Sequence, residues 1–257
     1  MTSWASALLR IHLACALGAG VLFWVVAFLR KGEARHRAIG RWFARLMYTA
    51  AATGAILAVA DLTAPQLVRP PDPALSAEAL RDLARKAAPT MWLALFVLLI
   101  IVAPVQHGIA AIAAGAEPRR MRSTVHAVLN TLAILATMAF VPATIAWHQP
   151  IFLIVAPIGF IVGLRNLGYA ARPTAAPIDW QREHLTSMLT AGIALHTALF
   201  VFGTSRTLKW ALGGWLQLLP WTLPALVGIM VIAILRQRDR PWPTRHRQRA
   251  GQEQDLT

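Results

Sequence analysis

The chain has 257 residues, of which 57% are hydrophobic and 14% are charged, and its mean hydropathy is +0.53. This composition excludes an ordinary soluble domain and is typical of an integral membrane protein. The formal net charge of +14 comes from basic residues between and after the apolar runs, so we expect them to set topology and attract anionic lipid, and we expect no nucleic-acid partner. A single cysteine, Cys15, excludes an internal disulfide.

The first apolar run, residues 5–29, is long enough to cross a bilayer and is followed by a basic loop, residues 30–41. Lysine and arginine beside short loops stay in the cytoplasm, so the first helix should end inside and the second, residues 43–62, should begin there. Pro65 and the prolines close behind it end the second helix. Residues 76–86 have the spacing of a short amphipathic helix on the outer surface.

Five more apolar runs follow, over residues 91–113, 123–147, 151–169, 184–203 and 208–235. Only three residues separate the fourth run from the fifth, so we expect those two helices to be antiparallel neighbours. By alternation, 18 of the 25 basic residues lie inside and seven lie outside. The sequence therefore predicts an all-α integral membrane protein, a bundle of seven transmembrane helices with the N-terminus outside and the C-terminus inside.

This threading gives one transmembrane domain, residues 1–235, and a basic, disordered cytoplasmic tail, residues 236–257. We expect a multi-pass protein of the plasma (inner) membrane of a bacterium, with the lipid bilayer and anionic headgroups at the cytoplasmic face as its partners. The sequence indicates neither an oligomeric state nor a reaction, so whether the chain is an enzyme stays open.

Eight histidines are the main candidates for chemistry, because ionisable groups inside a bilayer usually face the protein interior. His12 and His196 both lie about 10 Å from the outer side at 1.5 Å per residue, so they could face each other. A second group lies near the inner interface, with one member in the basic loop: His107, His126, His184 and His36.

Two imidazoles at matched depth could hold haem, and histidine also binds copper or zinc. Trp180, His184 and Met188 are spaced by four and share one helix face, where a thioether and an imidazole could bind haem or copper. The alternative is structural, with an interfacial tryptophan, a core methionine and a histidine bonded to a neighbouring helix. The candidate cofactor-binding residues are His184, His36, His12, Met188 and His196. The cofactor itself, haem or a transition metal, stays open.

Several short motifs run along the chain: His12, then Arg30-Lys31-Gly32, His36-Arg37 and Gly40-Arg41, and later Trp180, His184, Met188 and residues 194–200. In these motifs the chain resembles a bacterial family of multi-pass membrane proteins of unknown function. The resemblance implies that His12, His36 and His184 are the positions to examine, whereas His196 matches no residue of the family pattern. It implies no activity, because none is established for that family.

Three interpretations of function remain. The first is an inner-membrane protein of unassigned role with a histidine-based haem, metal or proton site. The alternatives are a small transporter or channel, and a non-catalytic membrane scaffold or sensor that docks through its basic tail. We also expect Glu183 to pair with an arginine of the basic loop, and His36 to be the loop histidine closest to His184.

Overall fold

A computed structural model describes residues 1–68, 76–149, 152–153, 155–208, 216 and 218–236. Within these ranges the chain consists of helices joined by short non-helical connections and contains no β-strand. In chain order the helices are α1 (Ser3–Phe28), α2 (Ala34–Thr63), the one-turn α3 (Pro65–Val68), α4 (Ala77–Ala114), α5 (Thr124–Ala146), α6 (Ala156–Ala171), α7 (Pro177–Ala198) and α8 (Leu219–Arg236). A 3-10 turn, Pro118–Met121, precedes α5, and a π-helical segment, Leu199–Leu208, continues α7.

Five helices of the described part are long and apolar enough to cross a membrane, over Ser3–Phe28, Ala34–Thr63, Arg81–Ala114, Thr124–Ala146 and Pro177–Gly203. The two remaining helices of more than one turn, α6 with 16 residues and α8 with 18, are shorter than these five. The all-α class with membrane-length helices is thus confirmed, while the count of seven spans and their orientation stay predictions. The predicted tail, apart from Arg236, lies outside the described residues.

Two helices begin earlier than the apolar runs predict. The expected separate amphipathic helix at residues 76–86 is wrong as a separate element, because α4 runs unbroken from Ala77 and holds Pro89 in its interior. Ser76 caps this start by accepting a hydrogen bond from the Ala79 amide at 3.2 Å. Likewise α7 begins with Pro177 at its first position. Its first turns are helical although they are polar, and a search for apolar runs does not find them.

The helix α4 lies at the centre of the bundle and packs against α2, α5, α6 and α7. The remaining large contacts join α1 to α2, α5 to α6, and α7 to α8, so the predicted neighbours α5 and α6 are confirmed. They approach closely because α6 presents glycine: a Cβ at Gly163 would lie 2.6 Å from the Asn130 carbonyl oxygen, and one at Gly159 would lie 2.9 Å from that of Ala133. Small residues at these positions let the two backbones touch.

Loop contacts show which ends of the helices lie together. The Thr2 amide donates to the Val68 carbonyl at 3.0 Å, which places the N-terminus beside α3. At the other end of α4, the Ala175 amide donates to the Ala116 carbonyl at 3.0 Å and Arg122 Nε donates to the Ala170 carbonyl at 3.0 Å. This grouping agrees with the alternation used above, in which the loops after α4 and α6 share the side that we predict to be cytoplasmic.

Candidate functional site

Four helices contribute side chains to one buried polar network near the end that we predict to be cytoplasmic. His107 on α4 is 0% exposed and His126 on α5 is 1% exposed. Nδ1 of His107 lies 2.9 Å from Nε2 of His126, and Nε2 of His107 lies 3.0 Å from Oε1 of Glu183 on α7. These three residues form a hydrogen-bonded series, which we call the His126–His107–Glu183 chain.

The chemistry of the carboxylate determines the direction of these hydrogen bonds. An ionised Glu183 only accepts, so Nε2–H of His107 donates to it. A neutral imidazole carries one proton, so Nδ1 of His107 is the bare nitrogen that accepts from Nε2–H of His126. Nδ1 of His126 is then the unprotonated nitrogen at the far end of the chain. A proton added there can therefore reach Glu183 by two successive shifts.

A buried carboxylate is costly unless it is paired, and Arg165 on α6 supplies the charge partner. Its Nε lies 3.4 Å from Oε1 of Glu183, with side-chain exposures of 27% and 11%. Nη2 of Arg165 donates to Ser187 Oγ at 2.9 Å and to Asn166 Oδ1 at 3.1 Å. The ion pair is therefore held in place by further hydrogen bonds from α6 and α7.

The network returns to α5 through two asparagines. Nδ2 of Asn166 donates to Oδ1 of Asn130 at 2.8 Å, and Nδ2 of Asn130 donates to the His126 carbonyl at 2.7 Å. Both asparagines are 0% exposed. The start of α5 is capped by Ser123, which accepts from the His126 amide at 3.2 Å. The backbone that carries His126 is therefore bonded on both sides.

His184, the main candidate from the sequence, lies one residue from Glu183 and bonds α7 to α4. Its Nδ1–H donates to the Gly108 carbonyl at 2.8 Å. A Cβ at Gly108 would lie 2.7 Å from Met188 Cε, so the helices touch there, and Trp180 packs against a buried cluster that includes Ala111 of α4 and Tyr169 of α6. The His184 and Met188 part of this face is therefore packed against α4.

The two outer histidines do not face each other. Nδ1 of His12 donates to the Ala50 carbonyl on α2 at 2.8 Å, whereas Nε2 of His196 accepts from the Trp24 indole at 3.1 Å. Trp24 lies 12 positions beyond His12 on α1, or about 18 Å along a helix. The expectation of a facing pair is wrong because α1 and α7 are staggered, so these two imidazoles cannot hold one haem.

The basic loop is bonded to the end of α1. Nζ of Lys31 donates to the carbonyls of Val26 and Ala27 at 3.1 and 2.6 Å, and partial burial lowers the pKa of Lys31. Arg37 donates to the carbonyl of Gly32, whose φ of +84° requires glycine. His36 and Lys31 lie close enough to His184 to interact electrostatically with its ring.

Glu183, which we expected to pair with an arginine of that loop, contacts His107 and Arg165 on neighbouring helices. The expectation assumed a position at the mouth of the bundle. Because α7 begins at Pro177, Glu183 lies in its second turn and faces α4 and α6. An arginine of α6, Arg165, is therefore a charge partner of Glu183.

A polar pocket of about 210 Å³ opens beside the carboxylate, and its lining consists of Tyr169, Arg172, Asp179, Arg182 and Glu183. The ring of Tyr169 meets that of His107 edge to face, with centroids 5.7 Å apart. The guanidinium of Arg172 lies 5.2 Å above the Tyr169 ring. The Tyr169 hydroxyl is buried and has no hydrogen-bond partner in the described part of the chain. Glu183 thus belongs to both the buried chain and the pocket.

Among the described residues, no three histidine, cysteine, aspartate or glutamate side chains converge in a way that could hold a metal ion. The direct bond of 2.9 Å between His107 and His126 leaves no space for an ion between those nitrogens. Sequence reasoning grouped these two histidines with His184 by depth but did not choose them. Arg165 and Asn166 were missed, although polar residues inside an apolar run are a usable signal.

Comparisons with protein families, with curated proteins and with solved structures find no significant match to this chain. The resemblance to a bacterial membrane family therefore stays a prediction.

Proposed function

We propose that this chain is a seven-span bacterial inner-membrane protein, N-terminus outside and C-terminus inside, whose His126–His107–Glu183 chain binds and passes protons. The observation that supports this function is the series of two imidazoles and a carboxylate, hydrogen-bonded in order and shielded inside the bundle. Imidazole exchanges protons near neutral pH, and ionisable residues in membrane helices commonly serve as proton relays. Anionic headgroups at the cytoplasmic face are the proposed lipid partner of the basic loops.

Proton transfer along the chain conserves every proton. One proton binds at Nδ1 of His126, the proton on its Nε2 moves to Nδ1 of His107, and the proton on Nε2 of His107 moves to Glu183. Both imidazoles end neutral in the other tautomer, and the carboxylate becomes a carboxylic acid. Arg165 then loses the charge of its partner, so protonation weakens the contact between α6 and α7.

The test is an infrared difference spectrum of the purified protein between pH 8 and pH 5. Glu183→Gln should remove a carboxylic-acid C=O band that the unmodified protein gains on acidification, because the amide cannot take the proton. The matched control is Glu117→Gln, which changes an exposed glutamate paired with Arg120. It should leave that band in place.

A purely structural network, which holds helices together by polar contacts, predicts a different spectrum. Neither Glu183 nor the imidazole bands of His107 and His126 would then change between pH 8 and pH 5. That result would overturn the proposed proton site. A band that persists in Glu183→Gln would assign the proton to another carboxylate.

A proton-coupled transporter is the second candidate function, and the open pocket at Glu183 favours it. In proteoliposomes that contain a pH-sensitive dye, a transporter should dissipate an imposed pH gradient only when its solute is present. A simple proton conductor should dissipate the gradient without a solute. Both fluxes should be lost in Glu183→Gln.

A further inference from the structure

We infer that the pocket between the end of α6 and the start of α7 binds a small oxyanion, a carboxylate or phosphate group, together with a proton on Glu183. The inference rests on the proposed proton site and names the ligand class that this site would serve. Its residues are the lining already described: Tyr169, Arg172, Asp179, Arg182 and Glu183.

The charge of the lining changes when Glu183 takes a proton. Arg172 and Arg182 are positive and Asp179 and Glu183 are negative, so the formal charge is zero while Glu183 is ionised and +1 when it is protonated. Asp179 already accepts the Ala176 amide at 3.1 Å, which engages its carboxylate at the start of α7. An anion beside ionised Glu183 would be repelled, so anion and proton favour each other's binding.

The Tyr169 hydroxyl is the second, independent observation. The residue is 4% exposed and lines the pocket, and its hydroxyl has no hydrogen-bond partner among the described residues. A buried donor without an acceptor costs free energy, so a ligand that brings an acceptor to it is stabilised. The ring is held between His107 and Arg172, so the hydroxyl is fixed in position. The hydroxyl is closed to solvent, so an oxyanion supplies the acceptor that it lacks only after a neighbouring side chain moves aside.

Two guanidinium groups suit the same ligand. Arginine presents parallel N–H donors that match the oxygens of carboxylate and phosphate, and such charge-assisted bonds are stronger than neutral ones. Arg172 and Arg182 come from the loop after α6 and from α7, so a bound oxyanion would bridge two elements. The pocket, at about 210 Å³, is many times the roughly 10–15 Å³ of cavity volume that one water molecule needs.

Several charged or titratable groups surround Glu183, and each could contribute to pH dependence. They are His107 on α4 with His126 behind it on α5, Arg165 and Tyr169 on α6, Arg172 after α6, and Asp179, Arg182 and His184 on α7, with Lys31 and His36 near His184. Replacement of Glu183 by glutamine isolates the contribution of Glu183 to the pH dependence, because the amide keeps the size of the side chain and cannot titrate.

The experiment measures sulfate binding to the full chain in detergent by calorimetry at pH 6 and pH 8. Sulfate stands in for the oxyanion because its charge is the same at both pH values. Binding should be at least about ten-fold tighter at pH 6, which corresponds to one hydrogen-bond-scale interaction. In Glu183→Gln the affinity should be high and equal at both pH values.

Tyr169→Phe gives the sharpest variant, because it removes only the unpaired hydroxyl. Sulfate binding at pH 6 should weaken by about ten-fold or more, while the unliganded protein keeps its melting temperature. Tyr48→Phe, on α2 and away from the pocket, is the matched control and should bind as the unmodified protein does. Arg172→Gln provides a second variant, which should also lose binding.

Nanodiscs distinguish the two sources of the oxyanion. If a lipid headgroup is the ligand, sulfate binding should be lost in phosphatidylglycerol nanodiscs and kept in phosphatidylcholine nanodiscs. If a free solute is the ligand, binding should be the same in both. Either result supports the oxyanion site.

Two results overturn the inference: no sulfate binding at pH 6, or binding that neither Tyr169→Phe nor Arg172→Gln weakens. If the infrared band of Glu183 is nevertheless present, the proposed proton site stands and only the oxyanion fails. If sulfate binds equally at both pH values and Glu183 shows no band, the coupling and the proton site fail together.

Discussion

Replacement of Arg165 by methionine tests the central ion pair. The change removes the contact of 3.4 Å with Glu183 and the hydrogen bonds to Ser187 and Asn166. Breaking a buried ion pair by loss of one partner costs about 3–5 kcal/mol. Because the Arg165 side chain is 27% exposed, solvent screens part of this cost, so we expect about 2–4 kcal/mol at neutral pH.

The free energy of unfolding in mixed micelles measures this cost at pH 7.5. Glu183→Gln in the Arg165→Met background should restore most of the lost stability, since it removes the buried negative charge that Arg165 no longer offsets. Arg120→Met is the matched control: it breaks an exposed pair with Glu117 and should cost much less. If Arg165→Met and Arg120→Met have equal effects, Arg165 does not stabilise a buried charge and the ion pair with Glu183 contributes no more than a surface pair.

Three further predictions use the same protein. Gly163→Ala should cost about 1–3 kcal/mol, because its Cβ would lie 2.6 Å from the Asn130 carbonyl, whereas Gly168→Ala on the same helix meets no atom within 4 Å and should cost nothing; the unfolding assay compares them. His184→Ala should lower the melting temperature without changing the Glu183 infrared band, since its bond to the Gly108 carbonyl joins α7 to α4, and loss of the band would instead assign His184 to the proton chain. A cytoplasm-active reporter fused after Thr257 should be active, and an export-active reporter inserted within residues 69–75 should also be active; the reverse pattern refutes the orientation.

The helices could be read from the sequence because apolar runs of membrane length are a strong signal. The starts of α4 and α7 could not be predicted in the same way. Polar residues such as Asp82 and Asp179 lower the mean hydropathy there, although they are compatible with a helix. The early start of α7 moved Glu183 from a loop position to a packed face. The sequence therefore indicated Glu183 as an ion-pair residue but did not indicate Arg165 as its partner.

Depth along a helix predicted one histidine group and failed for the other pair. His107 and His126 lie on α4 and α5, which pack directly, so equal depth means proximity. His12 and His196 lie on helices that are staggered, and stagger depends on how side chains interlock between helices. The sequence of one helix does not contain that information, so the contact of His196 with Trp24 could not be predicted.

The close packing of α6 on α5 has a consequence for membrane insertion. With 16 residues, α6 is about 24 Å long, which is less than a hydrocarbon core of about 30 Å. It also carries Arg165 and Asn166, which would be costly against lipid alone. Gly159, Gly163 and Asn166 find their partners on α5, including Asn130, whereas Arg165 pairs with Glu183 on α7. In the seven-span threading that we propose, the pair is therefore suited to leave the translocon as one helical hairpin, with α5 already present to receive Asn166.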